Sequence, residues 1–295
     1  MTKFDKDSQI GFIGAGMVGK SLAVILSRNG YTVSSVSSRS FNSAKSFSSL
    51  IPASKVYQDP NHVADNCDVV FITTTDDSIC DIATNTQWKY GQGVIHCSGV
   101  ASTDVLSGAA KKGAITAAIH PLQTFSSVED AVETLPGSTF AIEATGQMLD
   151  FLESMTVNLQ GVPVHLKPND KPLYHASVVM MGGLLTGLAG AVADMWNEFG
   201  IDQSTALKSL IPMIEGNAAT LKSIGIPNAI AGPYVRGDIG TIRKHLVALS
   251  TQAPHILTVY CQMALASLPY ALKKGNVSES VALDMQRLLE DFLEK

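Results

Sequence analysis

Apolar and polar positions along residues 1–168 follow two periods, one typical of buried strands and one of helices. Short apolar runs such as Ile10 to Ile13 and Asp68 to Thr74 predict strands, and helical segments such as Met17 to Arg28 lie between them. Repeated strand–helix–strand order predicts a parallel sheet with helices on both faces. The other predicted strands are Tyr31 to Val36, Val56, Gly93 to Cys97, Ala114 to Ile119, Thr139 to Ile142 and Val162 to His165, and further helices are Ser40 to Leu50, Asp77 to Thr84 and Thr103 to Lys112.

The pattern changes after Pro168-Asn169-Asp170, where strand signals fade and long helical periods begin. We therefore predict a doubly wound α/β domain over residues 1–168 and an all-α domain over residues 169–295. The predicted helices are Pro172 to Phe199, Gln203 to Ser223, Gly240 to Ser250, His255 to Lys273 and Ser278 to Leu293.

Composition and charge narrow the classes of protein. Charged residues make up 16% of the 295 and the net charge is −5, so the basic excess of a nucleic-acid binder is missing. The four cysteines show no CxxC spacing and the amino terminus is polar, which together predict a cytoplasmic protein with reduced thiols. The nearly uncharged stretch Val178 to Ala193 contains four glycines and is too short for a membrane span, so we expect a helix buried within the protein.

A glycine-rich turn follows the first predicted strand and opens the first predicted helix. Its residues Gly14, Ala15, Gly16, Met17, Val18 and Gly19 fit G-x-G-x-x-G in the strand–turn–helix context that the motif requires. Gly14 permits the tight turn, Gly16 lets a pyrophosphate approach the backbone, and Gly19 lets the helix lie close to the strand. The alternative is a glycine turn without a ligand. The motif and the element order together predict a doubly wound, mostly parallel Rossmann sheet followed by an all-α domain.

The end of the second strand indicates which dinucleotide binds. A site selective for NAD places an acidic residue there for the ribose 2′-hydroxyl, whereas this chain has Ser37, Ser38, Arg39 and Ser40. Arg39 offers a fork of donors and the serines add hydroxyls, so we predict NADP. The alternative is that Arg39 is an ordinary exposed residue at a helix start.

Ligands of such sheets bind outside the carboxyl ends of the parallel strands. Thr74 and Thr75 follow the fourth strand, and Ser98 follows the fifth. We predict that these side chains contact the cofactor, while helix capping is the alternative role. His120 follows the next strand and precedes Pro121, which favours an extended backbone. It is a candidate catalytic residue near the nicotinamide, or alternatively a structural residue bonded to a backbone carbonyl.

Six segments together resemble a family of NADP-dependent oxidoreductase-like proteins with a Rossmann-like domain and a helical carboxyl-terminal domain of unknown function. That family is related to pyrroline-5-carboxylate reductase and to the β-hydroxyacid and 6-phosphogluconate dehydrogenases. The resemblance implies a homodimer built through the helical domains and an active cleft between domains. The segments are GFIGAGMVG (11–19), DVVFITTTDDSI (68–79), VIHCSGV (94–100), IHPLQTF (119–125), LYHASVV (173–179) and GPYVRGDIGTIRKHL (232–246).

Lys171, Tyr174 and His175 begin the first long helix of the second half. Reduction of a carbonyl or imine needs a proton donor, and Lys171 and His175 share a helix face because they are four residues apart. The resemblance implies a proton-donating lysine on this helix with an amide four residues later, where this chain has His175. Relatives also often have Asn where this chain has Gly182-Gly183. The alternative is a solvated Lys171 and a buried, hydrogen-bonded His175. Tyr174 is a candidate for substrate binding.

Arg236 lies in a loop with glycines on either side and suits a substrate carboxylate. The alternative is a pair between Arg236 and Asp238 that braces the loop, and Asp238 is also expected to cap the next helix. The histidines show no ligand spacing, so we predict no metal. Two functions remain open: an NADP-dependent oxidoreductase acting on a small carbonyl or imino compound that carries a carboxyl group, and a non-catalytic dinucleotide-binding sensor or scaffold.

Overall fold

The computed structural model describes residues 4–294, and the described chain divides into two compact units after Gly182. The first unit contains eight strands in one sheet, in the order β3-β2-β1-β4-β5-β6-β7-β8. The first six strands run parallel, β7 runs antiparallel to β6, and β8 is parallel to β7. The strands are β1 Ile10–Ile13, β2 Val33–Ser37, β3 Lys55–Tyr57, β4 Val69–Ile72, β5 Gly93–His96, β6 Ile115–Pro121, β7 Thr139–Glu143 and β8 Val162–His165.

Helices of the first unit cover both faces of this sheet, and each face has its own apolar core. The central strands β1 and β4 are buried along their whole length, which explains their unbroken apolar runs. The helices are α1 Met17–Arg28, α2 Phe41–Leu50, α3 Pro60–Asn66, α4 Ile79–Asn85, α5 Ser107–Ala110, α6 Val128–Thr134, α7 Gly146–Asn158 and α8 Lys171–Met181. The predicted helix Thr103 to Lys112 is a 3₁₀ turn, Thr103–Leu106, followed by the short α5.

The second unit contains helices and no strand among its described residues. Its core lies among α12, α13 and α14 and includes the buried Leu246, Leu268 and Met285. Its helices are α9 Gly183–Asp194, α10 Gln203–Ile224, α11 Pro233–Arg236, α12 Ile239–Gln252, α13 Pro254–Lys274 and α14 Glu279–Leu293. A doubly wound, mostly parallel sheet followed by a helical region confirms the predicted fold class.

The region after residue 168 differs from its sequence prediction in two respects. The predicted single helix Pro172 to Phe199 is broken into α8 and α9, because Gly182 leaves helical geometry at φ −103° and ψ −99°. The predicted helix also ends in a 3₁₀ segment, Met195–Phe199. The compact units also divide after Gly182, so α8 groups with the sheet; the predicted boundary after residue 168 remains a prediction.

The expectation that Val178 to Ala193 is buried is wrong for the single chain. Met180, Met181 and Leu184 are 63%, 69% and 60% exposed. By length and composition alone, Pro168–Phe199 is long and apolar enough to cross a membrane, with a mean hydropathy of 1.8, but only 6% of its most apolar window is buried. Gly182 divides this stretch into α8, of 11 residues, and α9, of 12 residues.

Candidate active site

The glycine turn lies between β1 and α1 and is held by its neighbours on both sides. The Gly14 amide donates to the Ser37 carbonyl at 2.8 Å, and the Thr73 hydroxyl donates to the Gly14 carbonyl at 2.8 Å. Gly14 has φ +112°, and a Cβ there would lie 2.6 Å from the Thr73 carbonyl carbon, so another residue would be strained and would clash. A Cβ on Gly19 would lie 2.5 Å from Thr73 Oγ1, so α1 packs directly against the residue that follows β4.

Gly16 is different because its own surroundings do not require a glycine. A Cβ there would meet nothing nearer than the Thr73 carbonyl oxygen at 3.9 Å. The residue is exposed and caps α1 without a side-chain hydrogen bond, so the free amides of the first helical turn face open space. An exposed helix start with no side chain in front of it fits a phosphate group.

A cavity of about 640 Å³ opens in front of this turn. Ten of the predicted cofactor residues line it: Gly14, Ala15, Gly16, Met17, Val18, Ser37, Ser38, Arg39, Thr74 and Thr75. Gly19 and Ser40 do not line it; Gly19 packs on Thr73, and Ser40 caps α2 by accepting from the Ser43 amide. Sequence reasoning missed Gln58, Pro60, Ser78, Asp81 and Ile82, although Gln58 directly follows β3 at the same edge of the sheet.

The polar groups around this cavity fit a dinucleotide. Ser37 Oγ is buried and has no hydrogen-bond partner among residues 4–294, so a ligand hydroxyl can bond to it. Ser38 and Arg39 follow at the end of β2, and the Arg39 side chain is exposed. No carboxylate lies between residues 8 and 58. The segment that carries Arg39 therefore places no carboxylate of its own beside a phosphate on the adenosine ribose, and Asp81 is the acidic residue that lines this cavity.

A second cavity of about 250 Å³ adjoins the first and shares Val18, Thr73 and Thr74 with it. It lies at the carboxyl ends of β4, β5 and β6, where the strand order places them side by side. Its other lining residues are Asp76, Cys97, Ser98, Gly99, His120, Pro121, Gln123, Phe125 and His175. Three residues from separate parts of the sequence prediction, Ser98, His120 and His175, thus meet around one cavity.

Buried side chains hold the turn that follows β5. Ser98 Oγ donates to Asp76 at 2.9 Å and accepts from the amides of Val100 and Ala101. His96 accepts from the Ser98 amide, and its other ring nitrogen lies 3.2 Å from the Ser102 carbonyl oxygen. Burial lowers the pKa of His96 to about 4, so this imidazole is neutral at physiological pH. The Ser98 hydroxyl therefore already has three protein partners. The predicted role of Ser98 in cofactor binding stays a prediction.

Lys171 lies underneath the second cavity and does not line it. It is 1% exposed, so the alternative of a solvated residue at the helix start is wrong. Its ammonium donates to the Ser98 carbonyl at 3.0 Å and lies 4.0 Å from Glu143 Oε2. Glu143, at the end of β7, accepts through Oε1 from the Thr103 amide at 2.9 Å and the Thr103 hydroxyl at 2.6 Å. Burial lowers the pKa of Lys171, and the Glu143 carboxylate opposes that shift. Sequence reasoning missed Glu143, which carries no motif.

His120 and two residues of α8 form an aromatic cluster beside Gly99. His120 Nδ1 lies 2.9 Å from the Tyr174 hydroxyl, and the His120 and His175 rings meet edge to face with centroids 5.8 Å apart. A Cβ on Gly99 would lie 2.4 Å from His175 Cδ2 and 3.0 Å from His120 Nε2, so the glycine leaves room for both rings. The structure therefore brings His120, Tyr174 and His175 together.

Arg236 belongs to the second unit, where it is exposed at the end of α11. The alternative of a bracing pair is not observed: Asp238 instead caps α12 through the Thr241 amide and hydroxyl at 3.0 and 2.7 Å, and no ion pair of Arg236 within 4.0 Å is present in the described chain. The predicted role of Arg236 in substrate binding remains a prediction. Residues 4–294 contain no group of three or more His, Cys, Asp or Glu placed to hold a metal ion.

Two family models match the chain, one in each half. A Rossmann-like domain matches residues 5–121, and a domain of unknown function (DUF2520) matches residues 138–267. No curated protein matches in sequence.

Several solved structures share the fold at low sequence identity. Protein BF3122 from Bacteroides fragilis, an NADP oxidoreductase by name, is 20% identical over 90% of this chain and 99% of its own, with a TM-score of 0.73. The 1-pyrroline-5-carboxylate reductase of Streptococcus pyogenes is 14% identical over 99% of this chain and 100% of its own, with a TM-score of 0.63. The reductive aminase of Aspergillus terreus, solved with NADPH and ethyl-5-oxohexanoate, is 13% identical over 98% of this chain and 94% of its own, with a TM-score of 0.58.

Proposed function

We propose that this chain, in which a Rossmann-like domain is joined to a DUF2520 domain, is an NADPH-dependent reductase of a small carbonyl or imino compound that carries a carboxyl group. The observation that carries this proposal is the pair of adjoining cavities along the carboxyl ends of the strands. The first has a glycine turn and Arg39 for the phosphates, and the second has two histidines beside the place where the nicotinamide end of the same ligand would lie.

The residues in and beneath the second cavity have different roles in the proposed reaction. When bound, NADPH supplies the hydride. His175 is partly exposed and lines the cavity, so we assign to it the proton that the reduced oxygen or nitrogen takes up. Lys171 is buried beneath the cavity wall, so we assign it the placement of α8 against the turn after β5 rather than proton delivery.

We also propose that the protein is a homodimer formed through its helical region. Large apolar side chains are exposed on α8, α9 and α10, among them Met181, Leu184 and Met213 at 69%, 60% and 66%. Large apolar side chains exposed together on three helices suit an interface with a second copy of the chain. Sedimentation equilibrium is expected to give twice the chain mass of 31.2 kDa, and Met213→Glu is expected to give monomers. We propose the cytoplasm as the compartment because the four cysteines are free thiols.

Calorimetric titration and a substrate screen test the reductase. The purified protein should bind NADPH saturably and more tightly than NADH, and at least one member of a panel of small keto and imino acids should accelerate the loss of NADPH absorbance. Gly16→Ala is the matched variant that should fold but bind NADPH weakly, because the fold accommodates the extra methyl group whereas a pyrophosphate beside it does not. Saturable NADPH binding without turnover of any compound would favour the sensor or scaffold, and no binding would refute both functions.

A further inference from the structure

The hydrogen bond between His120 and Tyr174 joins the end of β6 to the second turn of α8. The Nδ1 to Oη distance is 2.9 Å, the rings meet edge to face at 84°, and both side chains are partly buried. The other ring nitrogen of His120 lies at Gly99, in the wall of the second cavity. One nitrogen of this imidazole is therefore held by the protein, and the other is available to a ligand.

Either partner can donate in this hydrogen bond, because the roles of the two imidazole nitrogens depend on the tautomer. The phenol is a donor at neutral pH, since burial raises the pKa of Tyr174 to about 12. Within residues 4–294 His120 Nδ1 is the one hydrogen-bond partner of the Tyr174 hydroxyl, so we assign the phenol as the donor to Nδ1.

A neutral imidazole carries only one N–H, and with Nδ1 accepting, that N–H is on Nε2. Burial, together with the positive charges of His175 and Lys171, lowers the pKa of His120 to about 4 against the opposing effect of Asp76. The ring therefore faces the cavity as a hydrogen-bond donor and not as an acid that gives up a proton.

We propose that His120 Nε2–H donates a hydrogen bond to the carbonyl oxygen of the substrate, and that Tyr174 is a positioning residue that fixes this tautomer. This inference rests on the proposed reductase function and narrows its substrate class to carbonyl compounds. An oxygen that gains negative charge during hydride transfer is stabilised by such a donor. An imine that is reduced as its protonated iminium ion has no nitrogen lone pair to accept this bond. His120 polarises the carbonyl, and His175 supplies the proton that completes the alcohol.

Nuclear magnetic resonance of the full chain tests the tautomer. Protein with ¹⁵N-labelled histidine and saturating NADPH should show His120 protonated at Nε2 and unprotonated at Nδ1, with the signals assigned by their loss in His120→Gln. Tyr174→Phe should produce a mixture of tautomers. Tyr260→Phe is the matched control, because Tyr260 lies 2.8 Å from His245 Nδ1 in the second unit and should change only the His245 signals. A wild-type His120 protonated at Nδ1 would overturn the proposal.

Turnover tests the role of the donor. His120→Leu should lower kcat for a keto acid by ~100-fold or more, which is the usual effect of removing one such donor, with little change in NADPH affinity. His120→Gln should recover much of that loss because its amide N–H reaches nearly the same point. Wild-type rates in His120→Leu, or a wild-type protein that reduces imino acids and no carbonyl compound, would overturn this inference and leave the reductase function standing. Absence of NADPH binding would overturn both.

Discussion

Substitution of Glu143 by Gln isolates the buried ion pair under the candidate active site. The amide keeps an oxygen that can accept from the Thr103 amide and hydroxyl, but the charge opposite Lys171 is lost. Lys171 then remains in a site where it is 1% exposed, with the Ser98 carbonyl as its hydrogen-bond partner. We expect a large loss of folding free energy from this near-isosteric change.

The magnitude follows from the geometry and from the ordinary pKa of lysine. Unit charges about 4 Å apart interact by roughly 4 kcal/mol at an effective dielectric constant near 20, and removal of one partner of a buried pair typically costs ~3–5 kcal/mol. The cost has an upper limit, because Lys171 can release its proton instead. From a pKa of 10.5 in the unfolded chain, that release costs about 5 kcal/mol at pH 7 and about 2 kcal/mol at pH 9. We therefore expect a loss of ~3–5 kcal/mol at pH 7.

The loss should shrink as the pH rises. Burial lowers the pKa of Lys171 in the folded state, and removal of the Glu143 charge lowers that pKa further. Between the folded pKa and 10.5 the unfolded chain binds more protons than the folded one, so the stability of the variant recovers toward that of the wild type as the pH approaches 10.5. At pH 9 the difference should be no more than about 2 kcal/mol.

Urea unfolding monitored by Trp88 fluorescence measures the effect. Trp88 is 7% exposed in the core of the first unit, and a Trp196→Phe background removes the chain's second tryptophan. Glu153→Gln is the matched control, since its pair with His165 is 39% and 54% exposed and should contribute less than ~1 kcal/mol. A loss below ~1 kcal/mol for Glu143→Gln at pH 7, or one that does not shrink at pH 9, would refute the reasoning.

Three further tests, each with its own substitutions, address the cofactor and proton-donor assignments. Arg39→Asp should weaken NADPH binding by about 10- to 100-fold with no loss for NADH, because a charge-assisted bond to the 2′-phosphate is lost; equal effects on both coenzymes in calorimetry would contradict NADP selectivity. Gly16→Ala should keep the thermal midpoint and weaken NADPH binding ~10-fold or more, whereas Gly14→Ala should lower the midpoint because Gly14 has φ +112°. His175→Ala should lower kcat ~100-fold at unchanged NADPH affinity, while His165→Ala, which changes an exposed histidine, should not; an unchanged kcat in His175→Ala would remove that residue as the donor.

Residues far apart in the chain carry the parts of the site that sequence reasoning did not find. Glu143 and Thr103 are 40 positions apart, and Lys171 bonds the carbonyl of Ser98 at a separation of 73. No spacing rule links such pairs. Their meeting depends on β7 lying antiparallel beside β6 and on α8 packing against the turn after β5.

Local sequence determined the elements and the cofactor turn, because those depend on near neighbours. The spacing of apolar residues decides whether a segment is a strand or a helix. Gly14 needs a positive φ and Gly19 needs close packing, and both requirements depend on a few consecutive residues and the strand beside them. The tertiary structure alone decided that Lys171 is buried opposite Glu143 and that Tyr174 holds His120. Burial and charge at these groups come from elements that pack together only when the whole sheet and α8 have formed, and those surroundings set each group's protonation.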